Sequence, residues 1–117
     1  MVLVTDSMLK HEDFIHLGLA ESGPSYPGGE EKFITYIKDS IKPPPNFIIP
    51  QGKIYVNFII ERNGHLSNTK ISRSLGYEWL DKEILRLVTK SKWKPGRIRN
   101  IPVRLENTIA IPFYNTN

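Results

Sequence analysis

The stretch GKIYVNFIIERNG, residues 52–64, decides the fold of this chain. Its apolar side chains recur at every second position, a spacing that places them on one face of a β-strand. These positions are Ile54, Val56, Phe58 and Ile60. The stretch ends in Asn63-Gly64, a pair favoured in tight type I′ turns, and we therefore predict that the chain turns back here in a β-hairpin.

The returning strand of this hairpin follows directly and ends at about Ser74. Its two apolar residues, Leu66 and Ile71, lie an odd number of positions apart, so a regular strand would point them to opposite faces. A β-bulge near Ser67-Asn68 would return both side chains to the core face. We therefore predict a bulge, which a regular ladder along this strand would contradict.

Two amphipathic helices flank the hairpin. The first runs from about Glu30 to Ile41 and ends before the prolines at 43–45, which we interpret as a stiff connector, with a ligand for proline-recognition domains as the alternative. The second runs from about Glu78 to Ser91 and ends before Pro95-Gly96. Each carries one apolar face at helical spacing: Phe33, Ile37 and Ile41 in the first, and Leu80, Ile84, Leu87 and Val88 in the second.

A third strand, from about Ile101 to Phe113, completes the elements, with Asn107 interrupting its apolar row. The hairpin makes strands one and two neighbours, and strand three adds beside strand one after the second helix has crossed the sheet. The sequence therefore predicts an α+β fold. This fold is a two-layer sandwich whose three-stranded antiparallel sheet, of order 2-1-3, carries two helices on one face.

Strand three is an edge of this predicted sheet, and it is the candidate site. Pro102 and Pro112 lie near its ends, and the positions between them contain neither proline nor glycine. Such an edge is either a docking surface for an extended segment of a partner or an ordinary edge that proline protects from aggregation. The candidate peptide-binding residues are Val103, Arg104, Leu105, Glu106, Asn107, Thr108, Ile109, Ala110 and Ile111.

Composition argues against several other classes of function. The chain has no cysteine, and its three histidines, at 11, 16 and 65, lack metal-ligand spacing. The net charge of +4 is not concentrated, so nucleic acid is not an expected partner. We predict no catalytic, cofactor-binding or metal-binding residues, and therefore no enzyme. Trp93 before Pro95-Gly96 is interpreted as a packing corner, with a stacking platform as the alternative.

Five motifs give the chain a family resemblance over about residues 26–113. They are Tyr26-Pro27-Gly28-Gly29-Glu30, the 52–64 stretch, Leu80-Asp81-Lys82-Glu83, Trp93-Lys94-Pro95-Gly96 and Ile109-Ala110-Ile111-Pro112-Phe113. In this order they resemble the C-terminal domain of TonB, the energy transducer, in its Bacteroidetes type. The chain departs from the family at Lys42-Pro43-Pro44-Pro45, where Tyr-Pro is common before the first strand.

The resemblance implies a periplasmic domain without a cofactor. Such a domain binds the TonB box of outer-membrane transporters along the strand that corresponds to strand three, by β-strand addition. It thereby transmits mechanical work for active uptake from an ion-driven inner-membrane motor complex. The resemblance also implies that the membrane anchor of a full transducer lies outside this chain.

We expect the chain to consist of a flexible arm (1–25), a TonB C-terminal-like domain (26–114) and a tail (115–117). The apolar residues Phe14, Ile15, Leu17 and Leu19 predict a short strand in the arm. Three alternatives to transport coupling stay open: a stand-alone adaptor of the same fold, a homodimer formed by strand exchange, and an arm that covers a sheet edge in cis.

Overall fold

The computed structural model describes residues 4–11, 15–16 and 22–114, and these contain three helices and five strands. The helices are α1 (Asp6–Lys10), α2 (Glu30–Ser40) and α3 (Glu78–Lys90). The strands are β1 (Ile15–His16), β2 (Gly52–Ile60), β3 (Leu66–Arg73), β4 (Gly96–Ile98) and β5 (Ile101–Phe113). The long helices and strands agree with the prediction to within about one residue at each end, the usual uncertainty of such boundaries.

The sheet has a central antiparallel part and two short additions. Four strands lie in the order β1-β5-β2-β3, and β4 pairs with β5 outside this path. The predicted neighbours are confirmed, since predicted strands two, one and three are β3, β2 and β5. The predicted numbers of three strands and two helices are wrong, and the sheet is not wholly antiparallel, because β1 is parallel to β5. The missed elements, α1 and β4, have only five and three residues, too few for a hydrophobic period to be visible. β1, with two residues, lies within the short strand predicted in the arm.

The core lies between one face of the sheet and the two long helices, as predicted. Alternate residues of β2 and β5 meet the apolar faces of α2 and α3 there. The fully buried members are Phe33, Ile37, Ile54, Val56, Phe58, Ile60, Leu80, Ile84, Val88 and Ile111. Burying each such side chain contributes roughly 1.5–3 kcal/mol, so this layer holds β2 and β5 in place.

The loop between β2 and β3 differs in type from the prediction. A type I′ turn needs positive φ at both central residues, but among the described residues Asn63 is not one of those with positive φ. Instead the N–H of Gly64 donates to the carbonyl of Glu61 at 2.9 Å, and the N–H of Glu61 donates to the carbonyl of His65 at 2.8 Å. Gly64 follows with φ 87°, which is the pattern of a three-residue hairpin loop.

The predicted bulge in β3 is confirmed. The register with β2 shifts between the pairs Asn57–Lys70 and Ile59–Ser67, so that one additional residue lies in β3. Asn68 has φ 50°, a conformation that asparagine adopts more readily than most residues. The bulge restores both apolar residues of β3 to the helix side, because Leu66 belongs to the core and Ile71 packs against it.

Trp93 forms a packing corner, as predicted. It is 6% exposed, and its ring centroid lies 5.0 Å from that of Phe33 and 5.7 Å from that of Tyr26. Its backbone N–H donates to the carbonyl of Gly64 at 2.9 Å, and its indole N–H donates to Ser91 at 3.2 Å. These bonds fix the chain between α3 and β4 against the hairpin loop, and thereby direct it towards the start of β5.

Candidate functional site

Two strands lie at or near the edges of the sheet, and they differ in regularity. β5 pairs with β2 without interruption, from Gly52–Phe113 to Ile60–Leu105. β3 has two register shifts along its pairing with β2, opposite Tyr55/Val56 and opposite Asn57/Ile59. Bulges twist a strand and break its row of backbone groups, which hinders the addition of another strand. The regular β5 is therefore the better template for an extended partner.

The outer side of β5 is divided into a covered and an uncovered part. β4 pairs with its first residues, including Gly96 with Val103, and β1 pairs with Arg104 and Leu105. From Glu106 onward, no strand in the described part of the chain pairs with this side. Of the nine predicted site residues, three are covered and six, from Glu106 to Ile111, form what we call the open edge.

The side chains of the predicted site alternate between the two faces of the sheet. Val103, Leu105, Ile109 and Ile111 are buried. Arg104, Glu106 and Ala110 are partly exposed, and Thr108 is exposed. Side chains of this second set face away from the helices, where a partner strand can contact them without disturbing the core. The regular alternation means that an added strand would extend the sheet without repacking the domain.

Asn107 is only partly buried, and it interrupts the apolar row of β5 as predicted. Its side-chain oxygen accepts the backbone N–H of the next residue, Thr108, at 3.0 Å. The hydroxyl of Thr108 in turn accepts a hydrogen bond from the side chain of Asn57 on β2, at 2.8 Å. The second of these bonds ties the middle of the open edge to its neighbour in the sheet.

A cavity of about 170 Å³ lies beside the middle of the open edge. β5 contributes Asn107, Thr108 and Ile109 to its lining. The opposite wall comes from the segment before α2 and from the packing corner: Pro24, Ser25, Tyr26, Glu30 and Trp93. Its polar and aromatic lining suits one side chain of a partner that follows the edge. Backbone pairing accepts most sequences, and such a recess supplies selectivity.

A polar cluster lies on the exposed face at the boundary between the covered and open parts. Arg104 donates to both carboxylate oxygens of Glu61, at 2.7 and 3.2 Å, and Ser67 also donates to this carboxylate. Burial raises the pKa of Glu61, but the hydrogen bonds from Arg104 and Ser67 outweigh it, so the pKa lies below its ordinary value of 4.5. Arg104, one of the predicted peptide-binding residues, thus forms an ion pair within the domain.

Sequence reasoning missed α1 and β4, two of the three elements that cover the start of β5. The strand predicted around Ile15 is present as β1, whereas Phe14, Leu17 and Leu19 lie outside the described residues. The helical segment α1 contacts β5, and Leu9 within it is fully buried. One signal for α1 exists in the sequence: Thr5-Asp6 is a favourable helix start, and the Thr5 hydroxyl does accept the N–H of Met8.

Residues 50–114, more than half of the chain, match the model of the family described as Gram-negative bacterial TonB protein C-terminal. The matched range contains the hairpin, α3, β4 and β5, and so includes the whole open edge. A search of curated proteins finds no match to the chain. In the described part of the chain, no helix combines the length and the apolar character that crossing a membrane requires.

Proposed function

The chain belongs to the TonB C-terminal domain family, and we propose from this that it is the periplasmic domain of an energy transducer. Domains of this family are periplasmic and act by interaction rather than catalysis. The proposed partner is the TonB box, a short extended segment of an outer-membrane transporter. In this proposal the domain pairs with that segment along the open edge and passes on mechanical work from an inner-membrane motor complex.

One observation carries this proposal: the open edge is regular, accessible and rigidly backed. Each of its residues pairs on the inner side with a residue of β2, from Glu106–Ile59 to Ile111–Ile54. Among the described residues its outer side has no strand partner. A template whose inner side is paired and whose outer side has no strand partner is what β-strand addition requires.

The expected affinity is moderate, which suits a partner that the domain binds and releases repeatedly. Each backbone hydrogen bond contributes about 1 kcal/mol net, and only alternate residues of an edge strand offer their groups outward. A contact of one short strand also falls in the size class of weak and transient interfaces. A dissociation constant on the order of micromolar to millimolar follows from this.

The way in which β5 is anchored suits the transmission of force. A pull along an added strand acts parallel to β5 and is therefore shared by all hydrogen bonds of the pair. β5 passes this load to β2 through its unbroken register and to the core through buried side chains such as Ile109 and Ile111. The strand that would bear the load is thus among the most firmly held elements of the domain.

The proposal is tested by titrating the isotope-labelled chain with peptides from the N-termini of outer-membrane transporters, and following backbone amide shifts. We expect saturable shifts concentrated in residues 106–111. A matched peptide with one central residue replaced by proline should bind at least about tenfold more weakly, because it lacks a backbone donor. Equal binding of the two peptides, or shifts centred on β3, would contradict strand addition at the open edge.

The same titration separates the transducer from the other protein-binding roles. If the chain binds unrelated strand-forming peptides as tightly as transporter N-termini, a general adaptor is the better account. If no peptide binds and the sedimentation coefficient rises with protein concentration, the open edge pairs with a second copy instead. Both outcomes would replace the proposed role in transport.

A further inference from the structure

The N-terminal arm lies on the side of β5 where a partner strand would add. Its strand β1 places Ile15 beside Arg104 and His16 beside Leu105, in parallel orientation. We propose that α1 and β1, the first two elements of the arm, form a built-in competitor that covers β5 at Arg104 and Leu105 and must leave for full engagement of a partner. This inference rests on the proposed function, since it concerns the same edge.

The arm is held first by one apolar anchor. Leu9 is fully buried, whereas its neighbour Met8 is 38% exposed, so α1 presents one residue inward. α1 contacts β5 directly, and both Val103 and Leu105 on that strand are buried. A helix of five residues has no stability of its own in water, and α1 therefore depends on this docking.

Two arginines hold the main chain of the arm from either side. Arg62, in the hairpin loop, donates to the carbonyl of Lys10 and also to the carbonyl of Pro102 on β5, the latter at 3.1 Å. Arg99, in the turn between β4 and β5, donates to the carbonyl of Val4 and lies 3.5 Å from the carboxylate of Asp6. Arg62 and Arg99 thus form a binding site for the arm, and neither belongs to the buried core.

This hold is weak compared with that of the core elements. For α1 and β1, the structure describes one large buried side chain, that of Leu9, and a backbone pairing with β5 over two residues, and the ion pair of Asp6 is half exposed. Exposed ion pairs contribute little to stability. α3, in contrast, buries Leu80, Ile84, Leu87 and Val88. Segments held by few buried contacts open locally without unfolding of the whole domain.

Release of the arm would lengthen the part of β5 whose outer side is open to a partner strand. With the arm in place, a partner strand can pair only from Glu106 onward, whereas its departure also frees the outer side of Arg104 and Leu105. A partner that uses the longer edge then binds with an affinity reduced by the fraction of molecules in which the arm is released. The arm thereby sets how readily the domain engages a partner that uses the longer edge.

The first test compares two substitutions on α1 in the full chain. Leu9→Ser removes the buried anchor, and Met8→Ser is its matched control at an exposed position of the same helix. With a transporter N-terminal peptide as probe, we expect Leu9→Ser to bind about tenfold more tightly than the unmodified chain. Met8→Ser should bind like the unmodified chain. Equal binding by all three proteins would overturn the inference and leave the proposed function standing.

The second test locks the arm instead of releasing it. The chain has no cysteine, so Ile15→Cys with Arg104→Cys creates a single pair at positions that face each other across neighbouring strands. Such neighbours are about 4.8 Å apart, within the range that a disulfide spans. We expect the oxidised protein to bind the peptide at least about tenfold more weakly than the same protein after reduction.

Undiminished binding by the oxidised protein would overturn the arm's role as a competitor, because a locked arm would then not obstruct the partner. Failure of the reduced protein, the unmodified chain and Leu9→Ser to bind any transporter peptide would instead overturn the proposed function. The two failures are thus distinguishable. Mass spectrometry of the oxidised protein verifies that the disulfide has formed.

Discussion

At the scale of single residues, the ion pair between Glu61 and Arg104 links the hairpin to the start of β5. The side chains are 27% and 17% exposed respectively, so water screens them incompletely. We expect Glu61→Gln to lower the free energy of unfolding by about 1 kcal/mol at pH 7. Glu78→Gln is the control, because its ion pair with Lys82 is exposed, and it should leave the urea midpoint unchanged.

The effect of Glu61→Gln should depend on pH in a defined direction. The pKa of Glu61 is lower in the folded protein than its ordinary value of 4.5. A lowered pKa contributes stability above the unfolded-state pKa, and this contribution is lost as the pH falls through the folded-state pKa. The difference between the two proteins should therefore shrink below about pH 4.5. A difference that is constant from pH 7 to pH 3 would contradict the ion pair.

Gly64 shows how one residue fixes the hairpin loop. It has φ 87°, and a Cβ atom there would lie 2.1 Å from the carbonyl oxygen of Trp93. Gly64→Ala should therefore cost at least about 3 kcal/mol of unfolding free energy, from backbone strain and from this collision. Gly76 also has positive φ but no atom within 4 Å of an added Cβ, so Gly76→Ala isolates the strain at about 1 kcal/mol. Equal urea midpoints for the two variants would contradict this account.

At the scale of elements, the bulge in β3 decides which residues reach the core. Deleting Asn68 would remove the register shift between Asn57 and Ile59 and turn either Leu66 or Ile71 to the solvent face. We expect a loss of about 2 kcal/mol in urea denaturation, the value of one buried leucine or isoleucine. Asn68→Gly keeps the bulge and relieves the positive φ, so it should be neutral or slightly stabilising. A deletion without cost would show that the bulge is dispensable.

What the sequence predicts at this scale follows from the length of each element. β2, α2, α3 and β5 are long enough to display their period, and their boundaries and order are predicted well. α1 and β4 are too short to display a period, and they are held by tertiary contacts such as the burial of Leu9. The candidate docking strand was predictable from Pro102, Pro112 and the residues between them. An arm that covers a sheet edge was one of the alternatives open from the sequence, but which edge it covers is seen only in the structure.

The type of the turns was less predictable than their position. Asn63-Gly64 has the preferred composition for a type I′ turn but forms a three-residue loop, because Gly64 must accommodate the chain at Trp93. The turn between β4 and β5 has positive φ at Arg99 and Asn100, a conformation that an arginine does not suggest. A tertiary contact overrides local preference at the first turn. At the second, the two-residue connection between paired strands requires positive φ at both positions.

At the scale of the whole molecule, we expect α1 and β1 to open independently of the packed domain. Native-state hydrogen exchange should separate these elements from the domain. The amide of Leu9, which donates to the carbonyl of Thr5, should exchange by local opening and be insensitive to low urea. Amides in the centre of β2 should exchange only through global unfolding. Exchange of Leu9 at the global rate would show that the arm is an integral part of the domain.

The proposed function rests on one event, the addition of a transporter segment as a strand along the open edge of β5. Residue-resolved hydrogen exchange with and without saturating peptide tests it most directly. Only alternate residues of an edge strand direct their N–H groups outward, while the others already bond to β2. We predict that the peptide newly protects alternate amides within residues 106–111 and leaves β3 unchanged. Protection without this alternation, or protection at β3, would contradict strand addition at β5.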